Sequence, residues 1–145
     1  MTEAKTSDKP PRLFHLMSLA QHRLLRHADA AFNEALGISM TQLGALFVLE
    51  KTPGAPARQI GETLSINKSA VTMLADRMEH AGLVRRAPSD EDRRAVRLFA
   101  TPAGLAKAAA ARPILARLTR KLTQPFDENE MAVVARFLES IIERF

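Results

Sequence analysis

A chain of 145 residues, 46% apolar and 26% charged, is long enough for one domain with a genuine core and too apolar to remain disordered. The absence of Cys, Trp and Tyr excludes a disulfide framework, a cysteine-based zinc finger and a thiol redox sensor, and leaves little for an aromatic base-stacking platform. Lys and Arg number 21 against 16 Asp and Glu, a net +5 that points towards a polyanionic partner.

Residues 1–11 read as a flexible arm ending in Pro10-Pro11. The arm is polar and holds no signal-peptide core, and no apolar run approaches the roughly 18 residues of a membrane span, so a cytoplasmic location is expected. From Arg12 to Leu36, Leu13, Met17, Ala20, Leu24, Ala28 and Ala31 recur at helical spacing, and Gly37 is a terminator. Thr41 is the expected cap of a second helix that buries Leu43, Leu46, Phe47 and Leu49 and stops before Pro53-Gly54. Pro56 opens a short third helix through Leu64. Ser65-Ile66 turn tightly, and Asn67 caps a fourth helix that runs to about Ala81, with Gly82 in the left-handed closing position.

The period then changes. A strand starts at Val84, Pro88 to Asp92 supply turn chemistry, and Val96, Leu98 and Ala100 alternate with Arg97 and Phe99, which predicts a β-hairpin. Thr101-Pro102 begins a fifth helix to about Leu122, with Pro113 inside it to kink it or remove one hydrogen bond. Asp127 to Glu130 resembles a capping box for a last helix carrying Met131, Val134, Leu138, Ile141 and Ile142. The expected fold is mainly α with a small β-hairpin.

Within residues 57–78, Ile60, Leu64, Ile66, Val71 and Leu74 let two short helices pack steeply around a turn, with small Gly61 at the crossing. The outer face of the second helix presents Asn67, Lys68, Ser69, Thr72, Met73 and Asp76, side chains suited to phosphates and base edges at a helix N-terminus. The arginine-rich hairpin that follows is suited to a narrow minor groove, whose strongly negative potential favours guanidinium. In its turn, Asp92 is positioned to brace the tip and aim Arg93 or Arg94 outward, while its neighbouring acids oppose indiscriminate binding to polyanions.

The run INKSAVTMLADRMEHAGLVRRAPSDEDRRAVRLFATPAG, from Ile66 to Gly104, resembles the signature of MarR-type winged helix–turn–helix transcriptional regulators. Ser69-Ala70-Val71-Thr72, Leu74 to Arg77, Gly82-Leu83-Val84, Asp92-Arg93-Arg94 and Leu98 with Thr101 and Gly104 carry the likeness, and the flanking helices extend it over Arg12 to Phe145. The resemblance implies a homodimer held by its terminal helices, a winged helix–turn–helix DNA-binding lobe, and repression relieved by a small ligand. By position it places Ser69, Thr72 and Met73 against bases or phosphates and Arg77 near the backbone, with Asp92 and Arg94 as a wing-tip pair. Members that sense thiol oxidation carry a cysteine in the first helix; this chain has none, so that route is excluded.

The resulting division is an arm at 1–11, a helical dimerisation region at 12–36 and 101–145, and the DNA-binding lobe at 37–100. The terminal helices hold more apolar surface than a monomer needs, with Leu13, Met17, Ile114, Leu118, Phe137, Leu138 and Ile141 as interface candidates. A twofold dimer would space its reading helices about one DNA turn apart, ~34 Å, on a near-palindromic operator. The family's ligand pocket lies between bundle and lobe. Leu16, Leu19, Ala20, Arg23 and His27 share one face of the first helix, and with Phe47 and Arg112 they offer apolar walls and a cationic handle for an aromatic or acyl carboxylate.

No metal or other cofactor is expected. His15 and His22 share a helix face but lie ~10 Å apart along the axis, too far for one ion. No nucleophile elbow, phosphate loop or zinc-protease pattern is present, which argues against an enzyme. The competing reading is a winged-helix protein-interaction module without DNA readout.

Overall fold

The computed structural model describes residues 12–91 and 94–145. Among them, six helices and three short strands follow in the order α1 (Leu13–Leu36), α2 (Met40–Lys51), β1 (Ala55–Pro56), α3 (Ala57–Leu64), α4 (Lys68–His80), β2 (Val84–Pro88), β3 (Val96–Ala100), α5 (Pro102–Thr123) and α6 (Glu128–Arg144). The strands form one antiparallel sheet in the order β1-β3-β2.

Helix ends explain most of these boundaries. α1 stops at Gly37, which takes φ +67° and donates its N–H to Asn33 O. α2 is capped by Ser39 rather than the expected Thr41: Ser39 Oγ accepts from Gln42 N–H at 3.1 Å, and Gln42 Oε1 accepts from Ser39 N–H at 2.9 Å. Both residues can cap, but only Ser39 has a Gln three positions on, so the reciprocal box decides in its favour. α1 reinforces this end, since Asp29 Oδ1 accepts from Met40 N–H at 2.6 Å. Thr101 caps α5 and Asp127 forms a full capping box with Glu130 for α6, both as expected. α5 runs through Pro113 to Thr123.

The third strand was not expected. β1 pairs Ala55 with Leu98 and Pro56 with Arg97. Two residues, one a proline, carry no alternation; a proline is accepted because the strand is an edge. Gly54, at φ +76°, turns the chain into β1, and Arg97 Nε donates to its carbonyl at 2.9 Å.

The core gathers Phe32 from α1, Leu43, Leu46 and Leu49 from α2, Ile60 from α3, Met78 from α4 and Leu98 from β3. Ala108 and Ala111 of α5 are also fully buried in it, so the first half of α5 packs against the helix–turn–helix lobe. Ile114 and Leu118 continue that contact, half-buried against the same cluster. The far ends of the chain differ. α6 has no buried residue, and Val134, Phe137, Leu138 and Ile142 are exposed along it. Leu13, Leu16, Leu19, Leu24 and Leu25 are likewise exposed on α1. No single described helix is long and apolar enough to cross a membrane.

Gly104 marks the tightest approach in the fold. A Cβ there would lie 2.1 Å from Leu83 O and 2.9 Å from a Leu46 methyl. The backbone oxygen cannot give way, because it accepts from Thr101 N–H at 3.0 Å. Gly104→Ala is therefore expected to lose about 3 kcal/mol and roughly 10 °C of melting temperature, despite alanine's better helix propensity, as read by thermal circular dichroism.

Candidate nucleic-acid interface

α3 and α4 are joined by a turn that needs two unusual positions. Ser65 takes φ 54°, the one positive φ of a non-glycine among the described residues, and Ile66 N–H donates to Gly61 O at 3.0 Å. Gly61 has no Cβ where one would meet Ile66 O at 3.0 Å and a Val71 methyl at 3.1 Å, so α4 crosses α3 at close range. Asn67 then starts α4, its Oδ1 accepting from Ala70 N–H at 2.8 Å and from Ser69 Oγ at 2.9 Å. Asn67, named as a DNA contact from the sequence, thus spends its carbonyl oxygen on the cap and has only its NH2 group to offer outward.

Val71, Ala75 and Met78 turn α4 inward. Lys68, Ser69, Thr72, Met73 and Arg77 are all exposed, on one continuous outer surface. Thr72 Oγ1 donates back to Lys68 O at 3.1 Å, so its proton stays within the helix.

The hairpin stands beside this helix and is tied to it by Arg86, a residue outside the candidates legible in the sequence. Arg86 of β2 donates through Nη2 to Asp76 Oδ1 at 2.6 Å and through Nη1 to Glu79 Oε1 at 3.1 Å. Its side chain is only 29% exposed. The hydrogen bond to Asp76 pushes the guanidinium pKa further up, the two carboxylate charges add to this, and burial opposes it. The clamp offsets part of the charge of two acids on the outer side of α4 that would repel a polyanion. The residues gave one signal for it: Asp76 and Glu79 lie three apart, on one side of a helix, and a strand arginine follows.

Between α3, α4 and the hairpin lies a concave space of about 990 Å³, lined among others by Gly61, Val71, Thr72, Arg86, Arg94 and Leu98. The hairpin closes beyond Pro88, where Ser89 N–H donates to Ala95 O at 3.1 Å. Arg94 is exposed at the end of the turn. Asp92 and Arg93 lie outside the described residues, and with them the expected Asp92 brace. On the outer side of the sheet the Arg85 guanidinium sits 4.2 Å from the Phe99 ring centre.

The residues proposed from the sequence for a ligand separate into two groups. Leu16, Leu19, Ala20, Arg23 and His27 lie exposed along α1. Phe47 and Arg112 come together, the guanidinium 5.2 Å from the ring centre. Arg112 is also paired with Glu50, a residue outside the candidates legible in the sequence. Of the interface candidates, Leu13, Phe137 and Leu138 are exposed, while Met17 and Ile141 are half-buried.

Comparison with known proteins agrees with this geometry. Residues 36–95 match the sequence profile of the MarR family. The chain is 34% identical over 114 residues to the HTH-type transcriptional repressor MdtR of Bacillus subtilis (strain 168), covering 76% of this chain and 71% of that protein. Among solved structures, the S. aureus MepR–DNA complex aligns with a TM-score of 0.83 at 19% identity, over 94% of this chain and all 100% of that one. The PcaV regulator of Streptomyces coelicolor, in complex with its natural ligand, aligns with a TM-score of 0.77 at 20% identity over 99% of each chain. At those identities the structural likeness is one of fold, while the relationship to MdtR is one of sequence. This chain belongs to the MarR family of transcriptional regulators.

Proposed function

We propose that two copies of this chain form a homodimer through α1, α5 and α6, lay paired α4 helices in successive major grooves of a near-palindromic operator, and act there, in the cytoplasm, as a repressor released by a small carboxylate ligand. The observation that carries the reading is the exposed α4 surface from Lys68 to Arg77, with its acids clamped by Arg86 and an arginine hairpin beside it. A helix of this diameter fits the major groove, and Arg94 on the adjoining hairpin is placed for the phosphates or the minor groove. Repression is supported by the named role of MdtR, and the binding of a small ligand by the PcaV complex.

The dimer is supported by α6. A 17-residue helix with no buried residue is marginal on its own, because helices in proteins owe most of their stability to packing of an apolar face. For the ligand, Phe47 and Arg112 supply the stacking wall and the cation. Glu50 already neutralises that cation, so an incoming carboxylate has to displace it.

Enrichment of genomic fragments by the purified chain tests DNA reading directly, with a protected palindrome as the expected result. Lys68, Arg77 and Arg94 from two lobes should give a log–log salt slope of about −5, whereas a flat response would favour a protein-interaction module. Arg94→Ala is expected to weaken operator binding roughly tenfold and to flatten the slope by about 2, measured by fluorescence anisotropy across salt concentrations. Arg86→Gln should also weaken binding several-fold by releasing two carboxylates towards the DNA; Arg86→Gln with Asp76→Asn should recover most of it. Light scattering should give twice the 16.0 kDa of one chain, and Leu138→Glu should reduce that to a monomer with much weaker operator binding.

A further inference from the structure

We propose that Met73 reads thymine: its thioether packs against the 5-methyl group of one thymine in each half of the DNA site. The inference rests on the docking of α4 in the major groove. With Val71, Ala75 and Met78 facing inward, the opposite line of the helix passes through Ser69, Met73, Asp76 and, at the last residue, His80. Met73 is the one apolar side chain among the exposed residues of α4, and it is 56% exposed. A single exposed apolar residue is ordinary by itself. Its neighbours define what it can meet.

The two hydroxyls beside it have no protons to give. A hydroxyl carries one proton, and Ser69 Oγ donates its own to Asn67 Oδ1 at 2.9 Å while Thr72 Oγ1 donates to Lys68 O at 3.1 Å. Both therefore turn lone pairs outward, and the Asp76 carboxylate only accepts. The side chains immediately around the apolar tip, Ser69, Thr72 and Asp76, are thus acceptors, and the donors Asn67, Lys68, Arg77 and His80 lie towards the two ends and the margin of the face. A G·C pair shows the guanine acceptors N7 and O6 beside the cytosine N4 amino group, so it can satisfy an acceptor here but offers nothing to the apolar tip. An A·T pair shows the adenine N6 amino group and the thymine methyl, and so meets both features of this surface. The three rotatable bonds of methionine let the thioether settle onto a methyl group without moving the helix.

The test uses the full chain and the operator recovered by genomic enrichment, with each thymine replaced in turn by deoxyuridine, which removes only the 5-methyl group. One position in each half-site is expected to weaken wild-type binding about fourfold, the effect of burying one methyl-sized group. Met73→Ala should bind the thymine and uracil duplexes equally at that position, and Met73→Leu should keep the preference. Thermal melting of both variants, expected to match the wild type because residue 73 is on the surface, separates lost reading from lost folding. Unchanged affinity at every deoxyuridine position, or a Met73→Ala variant that still prefers thymine there, overturns the proposal. A chain that binds no duplex overturns the docking of α4 itself, so the two failures are distinct.

Discussion

Leu83 and Gly104 touch backbone to backbone, and through them the three working parts of the chain are held together. Leu83 N–H donates to Met78 O and so closes the end of α4, while its carbonyl accepts from Thr101 N–H just before α5. Thr101 Oγ1 donates to Gly82 O at 2.6 Å and accepts from Gly104 N–H at 3.1 Å. The C-terminus of α4, the residue leading into β2 and the N-terminus of α5 thus share one hydrogen-bonded knot, sealed against Leu46 of the core. Rotation of α5 relative to α4 would have to break these hydrogen bonds. In the proposed dimer, this rigid link sets the separation of the two reading helices, which is the quantity a palindromic site measures.

The outer surface of α4 is shaped by internal satisfaction as much as by exposure. Asp76 and Glu79 lie on the outward part of α4, where unpaired carboxylates would oppose a phosphate backbone, and Arg86 pairs with both, halving their combined charge, while holding the hairpin against the helix. Exposed ion pairs contribute little stability, so the value of this one lies in charge and position. The same economy governs Ser69 and Thr72, whose protons are spent within α4 and whose lone pairs are therefore what a base edge would meet.

The terminal helices present the opposite situation, with surface left unsatisfied. α6 carries Val133, Val134, Phe137, Leu138 and Ile142 exposed along its length, and Phe145 beyond it is 98% exposed. Such a helix gains its stability by covering that face, which ties the folding of α6 to association in the proposed dimer. The Phe47–Arg112–Glu50 group joins α2, at the centre of the lobe, to α5, which runs from the lobe towards α6. A ligand exchanging with Glu50 would act on the helix that connects the two regions.

How much of this was legible depends on whether the signal is local. Capping and punctuation act over three or four residues, so Gly37, Asn67, Gly82, Thr101-Pro102 and the Asp127 box placed most helix ends from the residues alone, and period placed β2 and β3. Ser39 was overlooked because Thr41 offers the same hydroxyl two residues later, and β1 because Ala55-Pro56 becomes a strand only through its pairing with Leu98 and Arg97. The outer face of α4 was readable for the same reason as its core face, since one helical period sorts both. The sequence by itself determined the order of the elements, the exposed character of Lys68 to Arg77 and the MarR likeness. Only the tertiary structure decided that Arg86 reaches Asp76 and Glu79, that Glu50 occupies Arg112, and that Gly104 lies on Leu83 O, because each of these depends on where separate elements come to rest in space and no short spacing records it.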